Sequence, residues 1–548
     1  MTIGEKITRL RTEEGISQES LADKLGVSRQ SVSKWEMDQA LPQIDKILQI
    51  CDLFKISTDD FLHEDVEIQN DINSNMNITN SLPFEKKFFG TDGFRGEANA
   101  DVTAEHAFKI GQFLGWYYAS SLSDCRKIGY KPRIALGKDT RLSSYMLEYA
   151  LSAGLTCSGA DVYMLHVTTT PSVSYVTRQE NFDCGIMISA SHNPYSDNGI
   201  KLVNRYGEKM DTRTLSFIEA YLSGDFKALG LEGTGLPLAT KENIGRIIDY
   251  SAGRNRYIGY LISLAAHSYK NMRIGIDCAN GASWMIGPAV FNALGASTFV
   301  LNANPDGTNI NQNAGSTHIE VLQQFVRENH LDVGFAFDGD ADRCIAVDEK
   351  GNEINGDHIL YVFANRLKDK GNLNNNTVVC TIMSNSGLNK ALKEAGINCV
   401  QSDVGDQNVY EMMSASEYML GGEQSGHIIM QKYATTGDGI LTALMIVEEM
   451  LDKKLPLSEL AAPVTIFPQV LKNIRVENRS QAAKDEDVLE KAALINKQFG
   501  DDGKILIRES GTELVIRVMA QGPDRDFCEK ATDEIIEILK TKGYVSNN

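Results

Sequence analysis

From Met187 to Leu202 the chain reads Met-Ile-Ser-Ala-Ser-His-Asn-Pro-Tyr-Ser-Asp-Asn-Gly-Ile-Lys-Leu. Its apolar approach, Gly185 to Ile188, has the character of a buried strand. The polar loop that follows gathers Ser189, Ser191, His192, Asn193 and Lys201 around Pro194 and Gly199. A strand that delivers a hydroxyl, an imidazole and an amine into one turn is a common way to present a nucleophile. The same residues also suit an ordinary Asn-Pro turn with solvated side chains.

A second stretch, Val333-Gly-Phe-Ala-Phe-Asp-Gly-Asp-Ala-Asp-Arg343, ends an apolar strand in Asp338, Asp340 and Asp342. Alternate spacing in an extended turn lets three carboxylates converge on one cation, and all-oxygen ligands favour Mg2+ or Ca2+. The nearest rival is a Ca2+-binding EF-hand loop, with Glu349 at its twelfth position. That loop needs Gly at its sixth position, where Arg343 stands, and Cys344-Ile-Ala-Val continues like a strand. A solvated acidic turn is disfavoured because carboxylates this close repel one another. Leu420-Gly-Gly-Glu-Gln-Ser-Gly-His427 offers Glu423, Ser425 and His427 for hydrogen bonds to vicinal groups on a sugar. Ile507-Arg-Glu-Ser-Gly-Thr-Glu513 sets Arg508, Ser510 and Thr512 around Gly511, a nest suited to phosphate. Taken singly, each of these two loops also fits a plain turn.

Positioning four such loops takes several domains, and 548 residues can supply them. A hydrophobic fraction of 42% and a charged fraction of 23% are ordinary for a soluble globular protein. No apolar run reaches membrane-spanning length and no charged-then-apolar leader follows Met1, so the expectation is a cytoplasmic protein with no membrane partner. Nine scattered cysteines without a Cys-x-x-Cys pair predict reduced thiols, with neither a zinc site nor a disulfide framework. A net charge of −19 argues against indiscriminate binding to nucleic acid, though a local basic cleft can still take phosphates.

From Phe88 onward, short apolar strands alternate with helical stretches. Phe88-Phe-Gly-Thr-Asp-Gly-Phe-Arg-Gly96 precedes a helix at Thr103–Ala119, and Ile134-Ala-Leu-Gly ends in Lys138-Asp-Thr-Arg141 before another helix. Such alternation predicts α/β layers with sites at strand ends. The final segment, with strands near Ile505 and Val515 and a helix at Asp524–Lys540, reads as a smaller α+β unit. Composition shifts place domains at 87–240, 245–350, 351–462 and 463–548.

Residues 1–65 form a separate all-helical unit in this reading. Ile3, Ile7 and Leu10 share one helix face, Leu21 and Leu25 lie on a second, and Gly26 turns the chain into Ser28–Trp35. Val32 and Trp35 face inward there, and Ile44, Ile47, Leu48 and Cys51 mark the buried side of a fourth helix. Helix, short helix, Gly-containing turn and polar-faced helix is a helix-turn-helix pattern. An Asn-rich linker follows at 66–86.

The stretch Ile16–Glu36 resembles the phage-repressor-like helix-turn-helix family. That resemblance implies a recognition helix at Ser28–Trp35, with Gln18, Arg29, Gln30, Ser33 and Lys34 facing DNA. Gln and Arg suit base edges in the major groove. Against this, residues 1–65 carry eight Lys or Arg and thirteen Asp or Glu, a balance of −5, so phosphate attraction is weak. A module for protein contacts is the other reading.

Gly90-Thr-Asp-Gly-Phe-Arg-Gly96, Ser189–Pro194, Asp338–Arg343, Gly422–His427 and Arg508–Glu513, in that order, resemble the α-D-phosphohexomutase superfamily over about residues 86–545. Asp277-Cys-Ala-Asn-Gly281, Gly315-Ser-Thr-His318 and Gly422–His427 are most similar to its phosphoglucosamine mutase branch. Three residues depart from that pattern: Ala314, Gln407 and Glu509. The resemblance implies three α/β domains and one α+β domain. It makes Ser191 a phosphorylated nucleophile, with Mg2+ held by its phosphate and by Asp338, Asp340 and Asp342. Lys201 is then the general acid/base, with His192 and Arg95 beside the phosphoserine. Arg343, Glu423, Ser425 and His427 would face the sugar, and Arg508, Ser510, Gly511 and Thr512 its distal phosphate. The implied reaction interconverts glucosamine 6-phosphate and glucosamine 1-phosphate through an enzyme-bound 1,6-bisphosphate, supplying amino sugar for cell-wall precursors. Phosphomannomutase or phosphoglucomutase specificity and a sugar-phosphate-sensing regulator are the alternatives. A homodimeric body would bring two helix-turn-helix units together on a palindromic site.

Overall fold

The computed structural model describes residues 3–13, 16–37, 42, 44–54, 88–90, 93–120, 130–229, 235–509 and 515–545. The linker expected at 66–86, the side chains of Ile44 and Leu48, and Ser510, Gly511 and Thr512 lie outside the described residues. The chain divides into two compact units, Met1–Pro83 and Phe84–Asn548.

The first unit consists of α1 (Ile3–Glu13), α2 (Gln18–Leu25), α3 (Arg29–Glu36) and α4 (Ile44–Phe54). Leu21, Leu25, Val32, Trp35 and Ile50 close its core with Ile7 and Leu10. Ser28 caps α3 by accepting the Ser31 N–H, and Gly26 makes the preceding turn at φ +64°, a conformation that favours glycine. Glu36 locks the unit, accepting from Arg11 at 2.6 Å and from the Gln18 amide at 2.7 Å.

The second unit holds four sheets. The first has the order β1 (Phe89–Gly90), β2 (Gly93–Glu97), β6 (Asp197–Asn204), β5 (Cys184–Ile188), β3 (Arg133–Lys138), β4 (Asp161–Val167), β7 (Ile247–Asp249). The second runs β12 (Glu353–Ile354), β11 (Cys344–Asp348), β10 (Val333–Phe337), β8 (Arg273–Asp277), β9 (Ser297–Leu301). The third is β14 (Asn398–Ser402), β13 (Thr377–Thr381), β15 (Leu420–Gly422), β16 (Ile428–Met430). The fourth, wholly antiparallel, is β17 (Gln469–Arg475), β19 (Val515–Gln521), β18 (Lys504–Glu509). This is the expected series of three α/β layers and one α+β unit.

The apolar runs explain the central strands. Cys-Gly-Ile-Met-Ile of β5 and Val-Gly-Phe-Ala-Phe of β10 are buried at every residue, as strands covered on both faces must be. Each then turns into an antiparallel partner, β5 into β6 and β10 into β11. The serine loop and the aspartate loop are therefore both hairpin connections at strand ends. Helices Ala104–Ala119 and Leu142–Cys157 cross at backbone contact, since a Cβ on Gly154 would meet Phe108 O at 2.1 Å. The second and third sheets share one core, including Ile276, Phe335, Phe337, Leu388 and Ile440, whereas the fourth sheet has its own around Val488, Ile516 and Ile535.

The structure corrects the sequence reading at its domain boundaries. Strand β7 pairs with β4 and β12 pairs with β11, so the layers extend beyond the boundaries placed at 240 and 350. These are edge strands of three and two residues, too short to show alternation. Cys380 of β13 and Cys399 of β14 come together across the sheet, with Cα atoms 6.7 Å apart. Parallel pairing sets Val378 beside Cys399, so the diagonal Cys380 shares its face.

Beneath the serine loop, Lys138 of β3 and Glu148 form an ion pair in which each side chain is only 2% exposed. Lys138 Nζ also lies 3.4 Å from the centre of the Tyr145 ring. Glu148→Leu strands a buried ammonium, and its expected cost is about 3–5 kcal/mol in urea unfolding. Adding Lys138→Met should recover most of that loss; an unchanged unfolding midpoint for the single variant would refute this account.

Candidate active site

Ser191 stands at the end of β5 with φ +52°, in the left-handed region that most side chains avoid. Its Oγ donates to Asp338 Oδ2 at 2.5 Å and lies 3.5 Å from His192 Nδ1. Lys201 reaches the same centre because β6 runs back beside β5, pairing Lys201 with Met187. Its ammonium donates to Asp340 Oδ2 at 2.6 Å and to Asp342 Oδ2 at 3.2 Å. Arg343 closes the other side: Nη1 lies 3.2 Å from His192 Nδ1, and its N–H donates to Asp338 Oδ1 at 3.2 Å. Ser191, His192, Lys201, Arg343 and the three aspartates are thus one cluster.

Carboxylate oxygens of Asp338, Asp340 and Asp342 lie within 4.8 Å of one another, and all three residues are buried. Burial, and then the charges of Asp342 and Asp340, push the Asp338 carboxyl up to about 8. Asp342 moves the other way, held well below the usual range by Lys201 and His427 despite its burial. Oδ1 of Asp340 and Oδ1 of Asp342 are buried without a hydrogen-bond partner. Orphaned oxygens in an all-oxygen set fit a hard divalent cation such as Mg2+. His192 is pressed down to about 4 by burial and by the neighbouring Arg343 and Arg95, so its imidazole is neutral at pH 7.

A cavity of about 180 Å³ opens beside this cluster, lined by Arg95, Ser191, Asp342, Arg343, Val404, Gly405, Asp406, Glu423 and His427. Arg95 enters from β2, opposite Gly199 of β6. Glu423 accepts the Gly405 N–H at 3.0 Å, and Ser425 Oγ is 3.4 Å from its other oxygen. His427 is buried, with Nε2 2.9 Å from the Gly437 nitrogen and Nδ1 3.8 Å from Asp342 Oδ1. The four sequence motifs with described residues near the cluster therefore converge on one cleft.

The fourth sheet carries Arg508 on β18, directly opposite Arg517 of β19. Burial, and then Arg517, lower the Arg508 pKa, while Asp403 opposes them. Like charges facing one another across strands repel, and a bound anion relieves that repulsion. Sequence reasoning missed Arg517, whose signal is only its register. It also missed Thr170, which donates to Asp340 Oδ2 at 2.5 Å, and Asp406, paired with Lys209 at 2.6 Å. Of the departures noted above, Ala314 is buried, Gln407 donates to Glu411 at 2.8 Å, and Glu509 lies 3.8 Å from Arg479.

The second unit matches the models of phosphoglucomutase/phosphomannomutase domains I (residues 86–228), II (255–351) and III (355–467) and the C-terminal domain (471–538). The phosphoglucosamine mutase of Lachnospira eligens is 59% identical over 458 residues, covering 84% of this chain and 99% of that protein. The chain belongs to the phosphoglucosamine mutase family. A second member, from Bacillus cereus, is 44% identical over 83% of this chain and 99% of its own length. The fold is shared with a phosphoglucomutase/phosphomannomutase family protein of Burkholderia thailandensis (TM-score 0.66, 21% identity, 84% of this chain and 98% of that one). It is shared too with Aspergillus fumigatus N-acetylphosphoglucosamine mutase, solved with GlcNAc-6P and magnesium (TM-score 0.58, 16% identity, 84% and 97%). The first unit matches a helix-turn-helix model over residues 7–61.

Arg29, Gln30 and Lys34 are exposed along α3 and Ser33 is half-buried. Gln18 differs, because its amide nitrogen is engaged by Glu36.

If the aspartates bind a divalent cation, Asp340→Asn removes one donor and the charge that holds Lys201. Isothermal titration with Mg2+ should then show at least tenfold weaker binding, with turnover falling in parallel. Full wild-type activity in excess chelator would exclude the metal site.

Proposed function

We propose that this phosphoglucosamine mutase family member interconverts glucosamine 6-phosphate and glucosamine 1-phosphate through a phosphorylated Ser191. One observation carries the reading: Ser191 Oγ sits against three converging aspartates and opens on a cavity lined by Arg95, Arg343 and Glu423. The names of its relatives supply the sugar, and the body retains Ser191, Lys201 and all three aspartates.

In the first half of the cycle a bond forms between the sugar 1-oxygen and phosphorus while the Ser191 Oγ–phosphorus bond breaks. The 1-hydroxyl proton ends on Ser191 Oγ, with Lys201 as the relaying acid/base. The enzyme-bound glucosamine 1,6-bisphosphate then turns over. Its 6-phosphoryl group passes to Ser191 Oγ, whose proton goes to the 6-oxygen, and glucosamine 1-phosphate leaves. Asp338, Asp340 and Asp342, with the phosphate on Ser191, would hold Mg2+, which would supply charge neutralisation for the transferring group. Arg95 and Arg343 bind phosphoryl oxygens, and neutral His192 accepts a hydrogen bond from Arg343, keeping that guanidinium aimed at the cavity. Glu423 and Ser425 bond sugar hydroxyls in either orientation, with His427 behind them. Arg508 and Arg517, with Ser510, Gly511 and Thr512, hold the distal phosphate. The reading makes the chain a cytoplasmic supplier of amino sugar for cell-wall precursors.

Ser191→Ala should abolish turnover of glucosamine 6-phosphate and leave the unfolding midpoint unchanged, because only that hydroxyl carries the phosphoryl group. Phosphopeptide mapping of the wild type should find phosphate on Ser191. Assays with mannose 6-phosphate and glucose 6-phosphate decide the sugar: faster turnover of either reassigns the substrate and keeps the mutase chemistry.

The helix-turn-helix unit is proposed to read DNA through Arg29, Gln30, Ser33 and Lys34, with Gln18 at its edge. Two units carried by a homodimer would gain effective concentration on half-sites about one DNA turn apart. The expected result of a genomic binding selection at low salt is one enriched palindrome, lost on Gln30→Ala with Lys34→Ala. If nothing is enriched, or the double variant enriches the same sequence, the unit is a protein-contact module.

A further inference from the structure

The turn that presents Ser191 is held from behind by groups that never face the cavity. Arg141 is fully buried at the start of helix Leu142–Cys157. Its Nη2 donates to Ser191 O and Asn193 O, both at 2.9 Å, and its Nη1 donates to Asp197 O at 3.0 Å and to Pro194 O. One guanidinium thus gathers four backbone carbonyls of one loop. Asp139, also fully buried, fixes that guanidinium by accepting Arg141 Nε at 2.8 Å. The same carboxylate accepts Ser189 Oγ at 2.7 Å, and Ser189 Oγ in turn accepts the Ser191 N–H at 2.9 Å. Both backbone polar groups of Ser191 are therefore tied, through two routes, to one Asp139–Arg141 pair.

A second hand comes from the next domain. Asn311 Nδ2 donates to Ser191 O at 2.8 Å and Asn193 O at 3.0 Å, the two carbonyls Arg141 also holds. The Asn311 backbone is itself anchored, donating to Ala279 O at 2.9 Å in the turn that follows β8. The serine loop of the first sheet is thereby referenced to the sheet that carries the aspartates.

This arrangement answers two needs of the reaction. Ser191 holds a positive φ that an ordinary residue leaves unless its surroundings enforce it. Its carbonyl, turned to Arg141 and Asn311, is also kept from an incoming phosphoryl dianion, while Oγ faces Asp338. We infer that Arg141 and Asn311 are positioning residues for phosphoryl transfer, clamping the Ser191 turn so that Oγ occupies one place in both halves of the cycle. The inference rests on the reading of Ser191 as the phosphoryl carrier. Neither side chain touches the reacting atoms.

The test uses the full chain with three readouts. These are steady-state turnover of glucosamine 6-phosphate, the rate at which Ser191 takes phosphate from glucose 1,6-bisphosphate by intact mass, and hydrogen exchange of peptides covering 189–198. Asn311→Ala removes two of the six bonds and leaves Arg141 in place. Arg141→Lys keeps the charge but cannot span Asp139 and four carbonyls from one nitrogen. Misplacement by ~1 Å costs on the order of a hundredfold, so each variant should lower kcat and Ser191 phosphorylation by about ten- to a hundredfold. KM should stay within about twofold, and exchange should rise in the 189–198 peptides. Wild-type kcat and labelling rate in Asn311→Ala overturn the clamp. So does a loss that follows the unfolded fraction while exchange in the loop is unchanged. Labelling of the wild type at another residue overturns the carrier reading and the clamp together, whereas normal wild-type labelling with unaffected variants overturns the clamp alone.

Discussion

Three carboxylates buried within 4.8 Å of each other cannot all carry charge unless cations stand against them. The second unit is organised around meeting that demand. Asp338, Asp340 and Asp342 sit in the β10–β11 hairpin, and groups from inside and outside that hairpin answer their charge. Lys201 arrives on β6, Arg343 follows the aspartates within the same hairpin, and Thr170 adds a hydroxyl from the start of helix Thr170–Gln179. What stays unmet is the pair of orphaned oxygens on Asp340 and Asp342, and their unbalanced negative charge suits a divalent cation.

The same logic holds on the fourth sheet with the sign reversed. Arg508 and Arg517 face each other across two strands, an arrangement that a bare sheet disfavours. An anionic cluster and a cationic pair thus stand on separate sheets. The sheet bearing the cationic pair has a core of its own, while the aspartate and sugar-loop sheets share one. Those two sheets are therefore tied together by packing, while the fourth packs on a core of its own. Polar links do the joining: Lys504 donates to Ile382 O and Ser384 O, each at 2.7 Å, and Ser386 donates to Gln521 at 2.8 Å.

Much of this was legible in the chain. The fully apolar runs before Ser189 and Asp338 are what strands covered on both faces require, and each ends in residues too polar to continue inward. Alternating aspartates, a serine beside a histidine and a lysine ten residues on are local patterns, and local patterns survive in a linear string. The helix-turn-helix register was equally readable, because Val32 and Trp35 fall on one side of a 3.6-residue period.

Other features depended on the fold. Arg141 is 50 residues from Ser191 in sequence and Asn311 is 120, so nothing in the chain announces that both grip the same carbonyls. Arg517 becomes a partner of Arg508 only through strand register, and Cys380 meets Cys399 by the same route. The short edge strands β7 and β12 carry too few residues for a period to emerge. The sequence alone determined which residue types end each strand, and hence the chemistry on offer. The tertiary structure decided which of those ends meet, because pairing register and layer packing act between residues that the chain order keeps far apart.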